Sequence, residues 1–412
     1  MDPLECTDRD QTSKIMPTFP VEVWENGIDW LVAGYSQPNR SYNDGLAMRR
    51  DLSSCSLVCR AWLPRARMHL FSNIRLKGSG LSIYASIIRK SPMILPFAKE
   101  LHFFNTYPED SDNDVTGRTI ETASHLIRII HKLPNLYSLV LGSIDLSIEH
   151  PHLPRYVAAL RSINELQFLT RTPTSGSHLA NFLGSFPNLT TLTLSVPIIV
   201  PLNIFFLPSH KARSSLAVLF LIGLPGVPLL LNWLVLAHAF TTSLQKLHMT
   251  FQDSISQSEL VSAMQGLQSL LENCRASLKE WVFWANKEVR YFKDTPSVSL
   301  ASNLSLKHLK FAVSKDWFKH ALQQLKTITS KNTSDILICY WLDKEESPEE
   351  ELWKELDDIL DADHFSSLTK VEVTCIYRNL ENGHFYNIEG FNRAEKFPQL
   401  LPKLSKRGIL AW

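Results

Sequence analysis

The order of apolar and polar positions changes character partway along the chain. From about residue 97 one skeleton recurs, apolar-x-x-apolar-x-apolar. It is carried by Leu136/Leu139/Leu141 in "LYSLVL", Ile163/Leu166/Phe168 in "INELQF", Leu189/Leu192/Leu194 in "LTTLTL" and Leu216/Leu219/Leu221 in "LAVLFL". It continues in Leu244/Leu247/Met249, Leu278/Trp281/Phe283, Leu306/Leu309/Phe311 and Leu368/Val371/Val373, with weaker copies at Leu101/Phe103 and Ile336/Ile338. Two alternating apolar residues per copy predict a short strand with one face in the core. Between copies, the rows Ile120/Ser124/Ile127/His131, Leu260/Met264/Leu267/Leu271 and Leu352/Leu356/Ile359 keep three- and four-residue spacing, which predicts helices.

The copies recur about every 26–38 residues, mostly near 27, at or just above the leucine-rich-repeat range. A unit of strand, turn and helix cannot bury its apolar face alone, so neighbours must stack into one continuous core. The buried Asn that regular repeats place after the strand is mostly replaced, by Ile144, Arg171, Pro197, Leu224 and Ile376; only Asn286 fits. The spacing therefore predicts irregular repeats of variable curvature.

The N-terminal part has a different texture. Residues 1–16 read as a disordered tail and 17–76 as a small helical module. Pro20 suits a first helical position, and Val23, Trp24, Ile28, Leu31, Val32 and Tyr35 follow at helical spacing. "SQPNRSYNDG" reads as a loop, after which Asp51 can cap a second helix. Leu52, Cys55, Cys59, Trp62 and Ala66 are expected on one face of it, and Pro64 where one helix stops and another starts. Three short helices bury little alone, so the module is expected to lean on a partner or a second domain.

Composition narrows the class. Hydrophobic residues make up 44% and charged residues 20%, a globular balance, and the net charge of +1 favours neither nucleic acid nor an anionic membrane. The opening "MDPLECTDRDQTSK" lacks the basic and apolar regions of a signal peptide. Leu216–Phe240 carries no Asp, Glu, Lys or Arg, but Gly223, Pro225, Gly226 and Pro228 divide it into a strand and a helix rather than a membrane span. The six cysteines are scattered, as free thiols of a reducing compartment would be.

Candidate chemistry is sparse. Cys55 and Cys59 lie four apart, but no second ligand pair accompanies them, and packing explains them better than a metal. "DSDNDVTGRTIE" (110–121) imitates a calcium loop, yet Val115 stands where the turn requires Gly. His150 and His152 stand two apart in a Pro-flanked loop without further ligands. The acidic run 343–358 reads as a helix start, with Ser347, Pro348 and Glu350 as its capping signals. There is no nucleophile elbow, dinucleotide fingerprint or phosphate loop. No metal or cofactor is expected.

"FPVEVWENGIDWL" followed by "DLSSCSLVCRAWLPRARMHLFSNIRL" resembles the F-box motif in the form common among fungal F-box proteins with degenerate repeats. "LPKLSKRGIL" is similar to the tail of the same family. Phe19 stands for the usual Leu, and Gly27 for a larger residue. The resemblance implies an α/β chain: a three-helix F-box module at 17–76, then an irregular leucine-rich-repeat-like α/β solenoid with a parallel sheet at 97–412. It implies a non-catalytic substrate receptor of a cullin-type (SCF) ubiquitin ligase, cytoplasmic or nuclear, with no nucleic-acid or membrane partner. Pro20, Val23, Trp24, Ile28, Leu31, Leu52, Val58, Cys59 and Trp62 would meet the adaptor subunit and, through it, the cullin. Trp62 is also a candidate for the module's own core. Strand residues alternating outward would meet a target protein: His102, Phe104, Gln167, Phe220, His248, Trp284 and Lys310. The alternative is a repeat scaffold acting without the ligase.

Overall fold

Alternation in a short apolar segment commits its backbone to a strand, because only there do successive side chains take opposite faces. The computed structural model describes residues 20–35, 42–77, 80–104, 125–126, 128–143, 162–169, 174–175, 179, 182–195, 198–200, 216–223, 227–236, 242–251, 255–285, 295–342, 349–378, 385–387 and 393–411. The chain begins with three helices, α1 (Val21–Tyr35), α2 (Tyr42–Val58) and α3 (Leu63–Ser72). Strand β1 (Asn73–Lys77), helix α4 (Leu81–Lys90), a 3-10 helix (Pro92–Phe97) and β2 (Glu100–Phe104) follow. Next come β3 (Ser138–Gly142), β4 (Glu165–Leu169), β5 (Thr174–Ser175), β6 (Thr191–Ser195), β7 (Ile198–Val200) and β8 (Val218–Gly223). Helix α5 (Val227–Leu236), β9 (Lys246–Phe251), α6 (Gln257–Asn273), β10 (Glu280–Ala285), β11 (His308–Val313), α7 (Lys315–Lys326) and β12 (Asp335–Leu342) continue the pattern. Helix α8 (Glu350–Leu360), β13 (Lys370–Arg378), β14 (Phe385–Asn387), α9 (Arg393–Leu400), α10 (Pro402–Lys406) and β15 (Leu410–Ala411) complete it.

One 13-stranded sheet runs through the chain in nearly sequential order, and β5 and β7 form a separate pair. Every repeat strand pairs in parallel with the next. The register puts like beside like. Ile74, Leu101, Leu139, Leu166, Leu192, Leu219, Leu247, Trp281, Leu309, Ile336 and Val371 form one cross-strand row. A second row two residues on runs from Leu76 and Phe103 to Ile338 and Val373, and both rows are buried. A one-residue slip would turn either row outward, so burial fixes the register.

A hydrogen-bond device ahead of the strands reinforces it. The Lys99 carbonyl accepts from the N–H groups of both Tyr137 and Ser138, and the Tyr137 carbonyl from those of Asn164 and Glu165. The same doubling continues with Asn164, Thr190, Ala217, Gln245, Lys279, Lys307 and Ser334 as acceptors, at 2.7–3.2 Å throughout. Beside it runs a side-chain ladder. Asn135 Nδ2 donates to the Pro96 carbonyl (2.7 Å), and Ser243, Ser277 and Ser305 Oγ donate to those of Leu216, Leu244 and Ala276 (3.0, 2.8 and 2.8 Å). Asn332 Nδ2 donates to Leu304 at 3.1 Å. Asn135, Ser243, Ser277 and Ser305 stand immediately before the first apolar position of their copy of the skeleton. A small polar ladder before the strand thus satisfies carbonyls of the preceding repeat. The positions after the strand lie outside the described residues, except Ile376, which pairs with Asn387 in β14.

Helices cover one face of the sheet. Leu260, Met264, Leu267 and Leu271 are buried on α6, as are Leu352, Leu356 and Ile359 on α8. A Ser256–Glu259 capping box starts α6. Gly266 lets α6 approach α5 closely, since a Cβ there would stand 2.9 Å from Leu231 Cβ. Between β10 and β11, residues 295–303 have no regular structure and pack Val298 and Leu300 instead, so the repeats are irregular as expected. At the C-terminal end the exposed edge of β13 is covered twice, by β15 at Val371–Glu372 and by antiparallel β14 at Ile376–Arg378. The segment "LPKLSKRGIL" builds this cover. Buried Asp357 accepts from the Lys403 and Leu404 N–H groups (2.9 and 3.0 Å), and Arg407 donates to the Leu360 and Phe365 carbonyls (2.8 and 3.0 Å). Blocking an open edge suppresses pairing with other chains.

Several expectations change. The sheet begins at Asn73, well before residue 97, so the segment 17–76 contributes its last strand to the solenoid core. Asp51 lies inside α2 rather than at its start, because the helix already begins at Tyr42 within the expected loop. It ends at Val58, so Cys59 and Trp62 do not share a helical face with Cys55. Pro64 does open the next helix. Leu216–Phe240 resolves into β8 and α5 through Leu236, and among the described residues no helix is long and apolar enough to cross a membrane. Residues 110–121, His150, His152, Ser347, Pro348 and the row Ile120/Ser124/Ile127 lie outside the described residues.

Trp281 is fully buried and its Nε1 donates to Gln324 Oε1 at 2.9 Å. Trp281→Ala is expected to lower unfolding free energy by about 3–5 kcal/mol. Ser277→Ala should remove about 1 kcal/mol by breaking one ladder bond. Urea unfolding of the two variants measures both losses.

Candidate interaction surfaces

The face of the sheet away from the helices is built from the residues between the buried rows. His102, Gln167, Phe220, His248 and Lys310 occupy one cross-strand row on it, and Phe104 and Trp284 stand two residues further along their strands. All are exposed or half-buried, as alternation requires. Six strand steps separate Phe104 on β2 from Trp284 on β10, roughly 29 Å at about 4.8 Å per step. The sheet therefore gathers only part of the expected set.

Phe220, His248, Trp284 and Lys310 form the compact centre. Ring centroids lie 5.2 Å apart between Phe220 and His248 and 5.1 Å between His248 and Trp284, an aromatic shelf across β8, β9 and β10. Trp284 is 42% exposed. Lys246 Nζ sits 5.5 Å above the Phe220 ring. Glu280 Oε1 takes Lys246 at 3.0 Å and Lys310 at 2.9 Å. Burial pushes the Glu280 carboxyl up, but its bonds to the two lysines outweigh this and hold it below the usual range. Burial, then the charge of Lys246, pushes His248 down to about 4, so the shelf is neutral at its middle ring. Lys310 is committed to Glu280 rather than presented alone.

The other end is polar. Glu100 accepts from Asn73 Nδ2 (2.6 Å) and the Tyr137 hydroxyl (3.1 Å), with His102 Nε2 at 3.7 Å. Phe104 lies over Gly142, where a Cβ would fall 2.2 Å from its ring. Only Gly at 142 lets that ring settle on the sheet.

In the helical module the expected adaptor residues separate. Ile28 and Leu52 are buried and, with Ala66, form its core, so they are not surface contacts. Pro20, Val23, Val58 and Cys59 are exposed, and Leu31 and Trp62 half-buried. Trp62 is therefore not the buried aromatic of this module. The Trp24 side chain lies outside the described residues. Two exposed residues escaped the sequence reading, Trp30 (78%) and Leu57 (85%). Trp30 is two residues from Ile28, on nearly the opposite side of the helix, so a single apolar stripe could not contain both. Their signal was the surplus: Leu57, Val58 and Cys59 are consecutive and cannot share one face.

Charge ties the module together and packing fixes it to the sheet. Arg65 Nε donates to Asp29 Oδ1 at 2.7 Å, a second guanidinium nitrogen meets Oδ2, and His69 Nε2 lies 2.8 Å from Oδ1. The Arg65 bonds hold the Asp29 carboxyl down at about 2. Arg49 donates to the Asn73 carbonyl at 3.1 Å, joining α2 to the first strand.

The fold defines the class: an open, leucine-rich-repeat-like α/β solenoid with a three-helix module at its first strand. No family model matches the chain, and no curated protein matches it. Among solved structures it is similar to a yeast Rad7 and Elc1 complex chain, at 15% identity over 86% of this chain and 88% of that one, with a TM-score of 0.36. It is also similar to the leucine-rich repeat-containing protein LegL7 from Legionella pneumophila, at 12% identity over 81% of this chain and 98% of that one, with a TM-score of 0.34.

Two histidines give the protein an acid limit. His320, buried against Phe283 and Trp317, is pushed down to about 4 by burial, as is His248. Between pH 6.5 and 4 the unfolded chain binds more protons at both sites, so acid favours unfolding there. Stability should fall as pH drops through that window, and His248→Phe should flatten part of the slope. The Asp29 shift is also downward and acts in a lower window: its contribution is complete above the ordinary carboxylate range and lost as pH falls toward about 2. Urea midpoints at pH 7, 5 and 4 measure the histidine effect.

Proposed function

We propose that the chain is the substrate-receptor subunit of a cullin-type ubiquitin ligase, with the three-helix module docking on the adaptor and the open sheet face holding a target protein. One observation carries this reading. The module completes its own core with Ile28, Leu52 and Ala66, yet still exposes Val23, Trp30, Leu57 and Val58. Large apolar side chains left in water beside a finished core mark a binding surface. They lie within the stretch that resembles the F-box motif, whose partner is the adaptor subunit.

The solenoid supplies recognition. Its shelf of Phe220, His248 and Trp284 offers a run of tilted and edge-on rings, with the Lys246–Glu280–Lys310 ion cluster beside them. A target side chain that is aromatic or apolar fits there. Ubiquitin transfer would be done by the ubiquitin-carrying enzyme brought in through adaptor and cullin, and this chain would contribute position alone.

The test is co-precipitation of the full chain with the adaptor. Trp30→Asp combined with Leu57→Asp should abolish capture, because charges would be buried in an apolar contact. Both residues are exposed, so the unfolding free energy from urea titration should stay within about 0.5 kcal/mol of the parent. Full adaptor capture by the double variant would overturn the assignment. Deleting 17–76 is the poorer test, since it also removes β1 and uncovers the edge of β2.

A further inference from the structure

We propose a second binding site, for a phosphoryl group, in the groove between α4 and the helical residues 128–130 on the helix-covered side. An open groove of about 210 Å³ lies there, many times the ~10–15 Å³ that one water needs. Its polar wall is Ser82, Arg89, His125, Arg128 and Lys132, around an apolar floor of Ile88 and Ile129.

Helical spacing builds this wall. On α4, Leu81, Tyr84 and Ile88 point into the core, so Ser82 and Arg89, seven apart, fall together on the neighbouring face. Arg128 and Lys132 are four apart, and His125 precedes Arg128 by three, so these line the facing surface. Three permanent cations thus converge on one cavity, and no carboxylate is among the described residues that line it.

Lysine and arginine are nearly balanced by acid overall, 42 against 41. Lys246, Lys310, Lys315, Lys326 and Lys403, and Arg65, each meet a carboxylate. Among the described residues Arg89, Arg128 and Lys132 meet none. All three are exposed, so water and salt screen part of their mutual repulsion, and a bound anion would offset the rest.

The donor set selects the anion. A carboxylate carries one charge and is satisfied by one guanidinium fork. Two forks, an ammonium and a hydroxyl match the three oxygens and charge of about −1.5 to −2 of a phosphoryl group. The site is independent of the adaptor and target surfaces, and adaptor capture should not change when it is altered.

Calorimetric titration of the full chain with inorganic phosphate, and with a glycine-flanked phosphoserine peptide, tests the site at fixed ionic strength. Arg89→Gln and Arg128→Gln should each weaken phosphate binding about tenfold or more. Arg89→Lys with Arg128→Lys, which keep the charge but lose the forks, should bind at an intermediate level. Without phosphate, melting midpoints of the Gln variants should match or exceed that of the parent. Peptide binding tenfold tighter than free phosphate, lost in the same variants, identifies a protein-borne phosphoryl group; equal affinities identify the free anion. Either result supports the site. Failure of both probes to bind at millimolar concentration, or binding that the paired Gln or Lys substitutions leave unchanged, overturns it.

Discussion

The structure depends on one repeated backbone interaction: ahead of the repeat strands from β2 to β12, a single carbonyl takes two N–H groups from the next repeat. Because the acceptors run from Lys99 to Ser334 without a gap, each repeat is aligned before its strand begins. Parallel strands have no tight turn to set their register, so an anchor at the strand's start is the natural substitute. The Ser and Asn side chains beside it satisfy neighbouring carbonyls and bring adjacent loops into close contact. With register fixed, the buried rows follow, and so does the order of side chains on the open face.

That order explains why chemistry concentrates where it does. Phe220 and His248 touch because β8 and β9 present them at the same level, and Trp284, two residues further along β10, reaches His248 diagonally. Glu280 can bridge Lys246 and Lys310 because β10 lies between their strands. Neither cluster is local in sequence. Each exists only because a parallel sheet brings residues some 30 positions apart to about 4.8 Å spacing.

The helical module shows the reverse dependence. Its helices are local, but its place is tertiary: β1 extends from α3 directly into the sheet, and Arg49 and Asn73 link α2 to β1 and β1 to Glu100 on β2. The module and solenoid share a boundary strand rather than a linker. A partner held at Trp30 and Leu57 would therefore be held in a set relation to the first repeats, without a hinge at the described junction.

By itself the sequence determined the repeat, its strands, the inward residues and the helical rows at Leu260–Leu271 and Leu352–Ile359, since alternation and 3.6-residue spacing are local consequences of side-chain direction. It also determined which strand residues point outward, and the break at Pro64. It did not determine that α2 runs from Tyr42 to Val58, because Asn43, Asp44 and Gly45 carry turn signals that the surrounding helix overrides. The Ser and Asn positions before each strand were legible but look like ordinary loop residues until their acceptors are placed. Only the tertiary structure decided that Ile28 is core while Trp30 is surface, that His248 is neutral between two rings, and that Arg89 faces Arg128 across a groove. Those outcomes depend on what lies opposite a side chain, and residues distant in sequence supply it.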